Sequence, residues 1–266
     1  MTIISTFNPG YLWLPLIGMV IGILVTMFGG GGGFFYVPIL TLLFHVPTQI
    51  AAATSLAATI PTVLVGSIEH YRKRNINMRI GLIFGAAGLV GAFAGAYASG
   101  LISSSLLQKL FGVYALILTI PMALTSRKRF RDQGNVAAAS ISLTGSKIIL
   151  SSIFGIISGI MAGLFGTSGT ATIVAGLYIL DLPVTIVVGT SVLVVLFNAL
   201  SGFIGHVLVG QFDLMLLLFL GVGSILGAFL GPRILARIKV QTLEKVYGIL
   251  FTLLVVVFGL IMLIKR

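Results

Sequence analysis

Residues 80–98 read IGLIFGAAGLVGAFAGAYA and hold no charged side chain and no continuous polar face. At 1.5 Å per residue, such a helix reaches about 28 Å, close to the hydrocarbon thickness of a bilayer. A helix on the surface of a water-soluble fold would instead carry a polar stripe with a 3.6-residue period. Residues 212–230 (FDLMLLLFLGVGSILGAFL), beyond Asp213 at their start, and 246–264 (VYGILFTLLVVVFGLIMLI) have the same character. The chain therefore reads as an all-helical integral membrane protein.

Composition extends this reading to the whole length. Of 266 residues, 58% are hydrophobic and 8% charged, with 34 glycines. Soluble domains carry about a quarter of their residues as charges. The first Lys or Arg is Arg72, so the first apolar segment lacks the basic flank of a cleavable signal sequence and is expected to stay in the protein. With no cysteine, disulfides, thiolate metal sites and iron–sulfur clusters are excluded. Three scattered histidines do not argue for a metal. No metal and no cofactor are expected.

A net charge of +11 raises the question of nucleic acid, but 13 of the 16 basic residues fall in three clusters between apolar segments. Arg72, Lys73, Arg74 and Arg79 form one, and Arg127, Lys128, Arg129, Arg131 and Lys147 the second. Arg233, Arg237, Lys239 and Lys245 form the third. Short basic loops flanking spans are what the positive-inside rule describes, so loops 71–79, 126–147 and 233–245 are expected in the cytoplasm. The expected partners are the lipid bilayer and a small anion, with no nucleic acid. A homo-oligomer is left open.

Five apolar segments, near 11–28, 34–45, 48–68, 80–98 and 105–125, make a first repeat within residues 1–125. A polar linker over 126–146 follows. The second repeat, within 147–266, has segments near 147–165, 171–180, 184–207, 212–232 and 243–264. At a shift of 137, Gly18, Gly22, Phe28, Gly29 and Gly32 meet Gly155, Gly159, Phe165, Gly166 and Gly169. At 136, Pro47, Thr54, Ser55, Gly66, His70, Gly85, Gly91, Gly95, Lys109 and Gly112 meet Pro183, Thr190, Ser191, Gly202, His206, Gly221, Gly227, Gly231, Lys245 and Gly248. Shared hydrophobicity does not align so many glycine, proline and polar identities in one register, so a duplication is read.

An odd number of segments turns the second copy upside down, and charge agrees. The third-to-fourth loop is basic in the first copy (Arg72 to Arg79) and lacks Lys or Arg in the second (205–212). The fourth-to-fifth loop reverses this, nearly neutral at 99–108 and basic at 233–239. Two inverted five-segment repeats with both termini outside are expected. The second segment of each copy is short: about twelve residues reach about 18 Å, less than a span. Each is expected to be short or broken, either re-entering or meeting its neighbour inside the protein.

Gly29-Gly30-Gly31-Gly32-Gly33 and its partner Gly166-Thr167-Ser168-Gly169-Thr170 each open a short helix. Consecutive glycines let backbone N–H groups converge, and a helix start adds donors and a positive dipole end. Gly30, Gly31, Gly32, Gly33, Thr167, Ser168, Gly169 and Thr170 are thus candidate anion-binding residues. Close helix crossing is the alternative use of glycine, and it suits Gly85, Gly88, Gly91 and Gly95 better than five in a row. Thr54-Ser55 and Thr190-Ser191 lie early in the third segments, where their hydroxyls either face the glycine loops or bond their own helix backbone. Asn198, an amide deep in an apolar helix, needs partners and joins the candidates. His70 and His206 occupy equivalent positions at the ends of the third segments, either interfacial or with a gating or proton role. Glu69, Asp132, Asp181, Asp213 and Glu244 fall at segment ends or in loops, so no carboxylate relay crosses the membrane.

No nucleotide loop with its Lys, no His-Glu-x-x-His and no nucleophilic triad is present in the sequence, and an enzyme is not expected. The run Gly29–Gly33 followed by Phe34-Phe35-Tyr36-Val37-Pro38-Ile39-Leu40, with Ala53-Thr54-Ser55-Leu56 and Gly189-Thr190-Ser191, resembles the sulfite exporter TauE/SafE family. The second copy departs from the pattern, with Ala175 and Gly176 where Pro38 and Ile39 stand. The resemblance implies transport of sulfite or a related sulfur-containing anion such as a sulfonate. A carrier working by alternating access, its site near the midplane between the repeats, is the resulting expectation. An anion channel, or a carrier for another small anion, is the alternative.

Overall fold

The computed structural model describes residues 9–28, 32–129, 145–235 and 253–264. Every regular element among them is helical. A 3₁₀ turn (Pro9–Trp13) leads into α1 (Leu14–Phe28), α2 (Gly33–Leu43), α3 (Thr48–Arg72), α4 (Met78–Gly100) and α5 (Ser104–Arg129). The second half holds α6 (Gly145–Phe165), α7 (Thr170–Ile179), α8 (Val184–Leu208), α9 (Leu214–Leu235) and α10 (Leu253–Ile264). Gly29, Gly30 and Gly31, most of the linker, and Arg131, Asp132, Arg237, Lys239, Glu244 and Lys245 lie outside the described residues.

Among the described residues, α3, α4, α6, α8 and α9 are long and apolar enough to cross a membrane. The second helix of each half is short, as its sequence implied. α2 has 11 residues and α7 has 10, rises of about 16 and 15 Å, or half a bilayer. The bundle's outer surface is apolar, with Val90, Tyr97, Ile149, Leu226 and Phe229 all exposed. In water this would be an aggregating surface; against lipid it is the solvated one.

The element boundaries have local causes, and these recur at the 136-residue shift. Asn77 caps α4 by accepting from Ile80 N at 3.1 Å, and Asp213 caps α9 by accepting from Met215 N at 2.9 Å. Pro47 and Pro183 stand just before α3 and α8, and their carbonyls accept from Ala51 N and Val187 N at 2.9 and 2.8 Å. Left-handed residues follow the helix ends in matched pairs: His45 with Asp181, Arg74 with Gly210.

Packing between the halves is reciprocal as well. α1 of the first half lies along α9 of the second, α6 of the second along α4 of the first, and α3 and α8 cross at the centre. Glycine makes these crossings possible. A Cβ on Gly155 would fall 2.6 Å from the Phe84 carbonyl oxygen, and one on Gly18 would run into the matching Leu220 carbonyl. Gly159 sits likewise on Gly88, and Gly22 on Ser224. Without a hydrophobic driving force in lipid, such backbone-to-backbone approach is what holds helices together. Gly176, the departure from the first copy's pattern, seats α7 against the rings of Phe154 and Phe84.

Candidate functional site

Two half-length helices ending inside a bundle leave their opening turns at depth, where loop backbone is tolerated only if protein shields it. The structure brings those turns together. Gly33, the first residue of α2, packs directly on the Gly166 carbonyl and Thr167 Cα, leaving no room for a side chain. Gly32, Thr167 and Ser168 are buried with it.

The loop between α6 and α7 is held in an unusual conformation. Gly166, Ser168 and Gly169 all have positive φ, +68°, +59° and +69°. For the serine this costs about 1–2 kcal/mol, strain that persists only where surrounding contacts over-determine it. Those contacts are visible. Gly166 presses against Ala52 of α3, and Gly169 against Ser158 of α6. Ser55 donates to the Gly166 carbonyl at 2.8 Å, and Ser168 donates to the Thr167 carbonyl at 2.6 Å.

Asn198 completes the frame from α8. Its Nδ2 donates to Ser158 Oγ at 3.3 Å and to the Ser168 carbonyl at 3.4 Å, while Oδ1 is turned against Gly88 and has no hydrogen-bond partner. The residue is fully buried and acts on the loop by holding its backbone.

The other hydroxyl candidates lie elsewhere. Thr54 donates to Ile50 O at 2.8 Å and Ser191 to Val188 O at 2.8 Å, each within its own helix. Thr190 accepts from Asn77 N at 3.0 Å and so belongs to the turn entering α4. Of the two Thr-Ser pairs, Ser55 is the member bonded to the glycine-rich loop. Thr170 starts α7 directly beneath that loop.

His206 is fully buried. Its Nε2 donates to the Gly163 carbonyl at 2.8 Å, and its Nδ1 lies 2.8 Å from Gln211 Oε1, which Ser99 Oγ also approaches at 3.1 Å. This network ties α8 to α6 and to the end of α4. His70, its counterpart, is half-buried, and its Nδ1 has no partner. The two sites share a position in the repeat but not a bonding pattern.

Two tyrosines not singled out in the sequence lie near the junction. Tyr36 of α2 is fully buried and meets Ser224 Oγ at 2.8 Å, linking α2 to α9. Tyr114 of α5 stacks on Phe165, with centroids 5.0 Å apart and an interplanar angle of 18°, and lies 6.1 Å from Phe34. Its hydroxyl faces those of Thr167 and Thr172. Position in the FFYVP run was a signal for Tyr36; nothing in the sequence around Tyr114 distinguishes it from a lipid-facing aromatic.

Apolar helices on the outside, and half-length helices whose glycine-bearing starts meet at a buried polar junction, define a multi-pass membrane protein of the transporter class. The chain belongs to the sulfite exporter TauE/SafE family, whose profile matches residues 14–258. It is 36% identical over 219 residues to the "Probable membrane transporter protein YdhB" of Bacillus subtilis, covering 82% of this chain and 87% of that protein. A protein of Methanocaldococcus jannaschii, also described as a membrane transporter, is 29% identical over 271 residues, covering 95% and 96% of the two chains. The "Probable membrane transporter protein YunE" of B. subtilis is 25% identical over 269 residues, covering 92% and 95%. No solved structure matches the chain.

Proposed function

We propose that the protein carries sulfite, or a related small sulfur-containing anion such as a sulfonate, out of the cell by alternating access. The observation that carries this reading is the meeting of two glycine-bearing helix starts at one buried point, where Gly33 packs on the loop of Gly166 and Thr167. An α-helix leaves its first N–H groups without intrahelical acceptors, and its positive end favours an anion. The family's description as sulfite exporters supplies the choice of anion.

The two halves are read as inverted repeats, residues 1–125 and 147–266 joined by a cytoplasmic linker over 126–146. The reciprocal packing of α1 on α9 and of α6 on α4 supports a two-fold relation between them, and the charge reversal of their loops supports the inversion. Transport then comes from one repeat rocking on the other about the glycine crossings. Loops 71–79, 126–147 and 233–245 face the cytoplasm of a cytoplasmic-type membrane, and both termini face outside. His70 and His206, one near each face, are the candidate gating positions. An inside-negative potential drives a monoanion outward with about 2.3 kcal/mol per 100 mV, so export needs no coupling ion. The protein is a carrier rather than an enzyme, and its partners are the anion and the bilayer.

Purified protein in proteoliposomes tests this, with labelled sulfite and a fixed membrane potential. Saturable flux suppressed by unlabelled sulfur anions is expected. Flux that rises linearly with concentration would favour an anion channel, and absence of flux would remove sulfur anions as substrates. Because the chain has no cysteine, single cysteines introduced at Arg74 and Gly210 report topology cleanly. Impermeant reagent should label the second from outside and the first only after permeabilisation.

A further inference from the structure

We propose that the junction accepts singly charged oxyanions and turns away doubly charged ones, with the neutral hydroxyls of Tyr114 and Thr167 among its recognition groups. This rests on the transporter reading above and specifies the charge of what the site takes.

The first argument is the pair of hydroxyls. Thr167 is fully buried, and neither its Oγ1 nor the buried Tyr114 Oη closes a hydrogen bond. Two buried hydroxyls that lie close enough to interact, with neither closing a well-formed hydrogen bond, are an expensive arrangement for a protein interior. A bound acceptor resolves it, because each hydroxyl can rotate to donate to an oxygen placed beside the pair. Their positions are fixed in advance. Phe165 and Phe34 clamp the Tyr114 ring from α6 and α2, and Phe111 closes edge-on against Phe165 at 5.9 Å. Thr167 is held by the strained loop on which Gly33 packs. The opening turn of α7 follows within three residues.

The second argument is charge. Among the described residues no Lys or Arg is buried. The buried Asp213 carboxylate accepts from Met215 N and Leu216 N at the start of α9. Among the described residues, an anion at the junction therefore meets hydroxyls, amides and helix dipoles, and no buried Lys or Arg. The hydration lost on entering such a place grows with the square of the charge, so a dianion gives up roughly four times what a monoanion of equal size does. Attraction to neutral donors grows only in proportion to charge. Donors sufficient for a monoanion leave a dianion unfavourable, and the absence of a cation becomes the selectivity element.

Methanesulfonate and sulfate make a matched pair, similar in size and geometry, with a methyl group replacing one charged oxygen. Binding is read by thermal shift of the full-length protein in detergent at constant ionic strength, and transport by competition against labelled sulfite in proteoliposomes. Methanesulfonate should raise the melting temperature and compete at a concentration at least tenfold lower than sulfate. Sulfite uptake should rise as pH falls and the singly protonated anion grows. Equal competition by sulfate would overturn the proposal while leaving the transporter reading intact. A thermal shift with methanesulfonate only, without flux of any anion, would do the reverse. No shift with either anion overturns the proposal. Tyr114→Phe keeps the ring stack and should weaken methanesulfonate binding about tenfold without lowering the unliganded melting temperature. Thr167→Val should act likewise, and Thr167→Ser should restore binding. Unchanged affinity in Tyr114→Phe and Thr167→Val would remove these hydroxyls from the site.

Discussion

Ser55 of α3 donates its hydroxyl to the carbonyl of Gly166 across 2.8 Å, joining two residues 111 positions apart at the loop that opens α7. The carbonyl is buried and the glycine is left-handed, so this bond helps fix a conformation the chain would not adopt unaided. Ser55→Ala removes the donor and leaves a buried carbonyl short of a partner, a cost of about 1–3 kcal/mol. We expect a lower melting temperature in detergent and a larger fall in sulfite flux. Flux unchanged from the parent would separate Ser55 from the junction's work.

Gly166, Gly169 and Gly210 share positive φ but not surroundings. A Cβ on Gly166 would lie 2.6 Å from Ala52 Cα, and one on Gly169 would collide with Ser158, whereas one on Gly210 meets nothing within 4 Å. Gly210→Ala should thus cost only the conformational penalty, about 1–2 kcal/mol. Gly166→Ala and Gly169→Ala should cost clearly more and abolish flux, as measured by thermal unfolding beside transport. Equal penalties at all three would mean the loop can move away from α3 and α6.

Asn198 holds the loop through its Nδ2, at Ser158 and at the Ser168 carbonyl. Asn198→Leu loses both bonds and adds bulk against Gly88, so substrate affinity and stability should fall together. In membrane interiors a single such bond averages about 0.6 kcal/mol, so the larger part of the effect is expected from packing. An affinity loss without any change in melting temperature would instead point to direct contact with the substrate.

His206 joins α8 to Gly163 of α6 and to Gln211. His206→Ala should destabilise by about 1–3 kcal/mol, through the buried Gly163 carbonyl it leaves unpaired. His206→Gln, which can still donate, should recover part of that loss. If the imidazole takes up a proton during transport, His206→Gln will also flatten the pH profile of flux; an unaltered profile assigns the residue to structure.

The equivalence of Gly18 and Gly155 offers a test of the duplication. Each seats its helix on a carbonyl of the other half, Leu220 or Phe84. Gly18→Val and Gly155→Val should each disrupt folding to a similar degree, read as yield of monodisperse protein. Tolerance at one position alone would mean the two crossings are not equivalent in strength.

Much of this architecture was already in the sequence, because a bilayer constrains a chain one residue at a time. Span length, absence of charge and basic loops act through local transfer free energies, so residues 80–98 declared a membrane helix without reference to anything else. The brevity of the second segments and the glycine register between the halves were legible for the same reason. What the sequence could not assign was the use of each polar group. Ser55 and Ser191 occupy equivalent positions, yet one reaches Gly166 and the other bonds its own helix. His206 is buried in a three-helix network while His70 is not. Tyr114 stands in an ordinary apolar helix, and only the folding of α6 and α2 around it turns its hydroxyl toward Thr167. These differences arise because a hydroxyl or imidazole in lipid surroundings takes whichever partner packing brings within about 3 Å, and that distance is set by elements far away in the sequence.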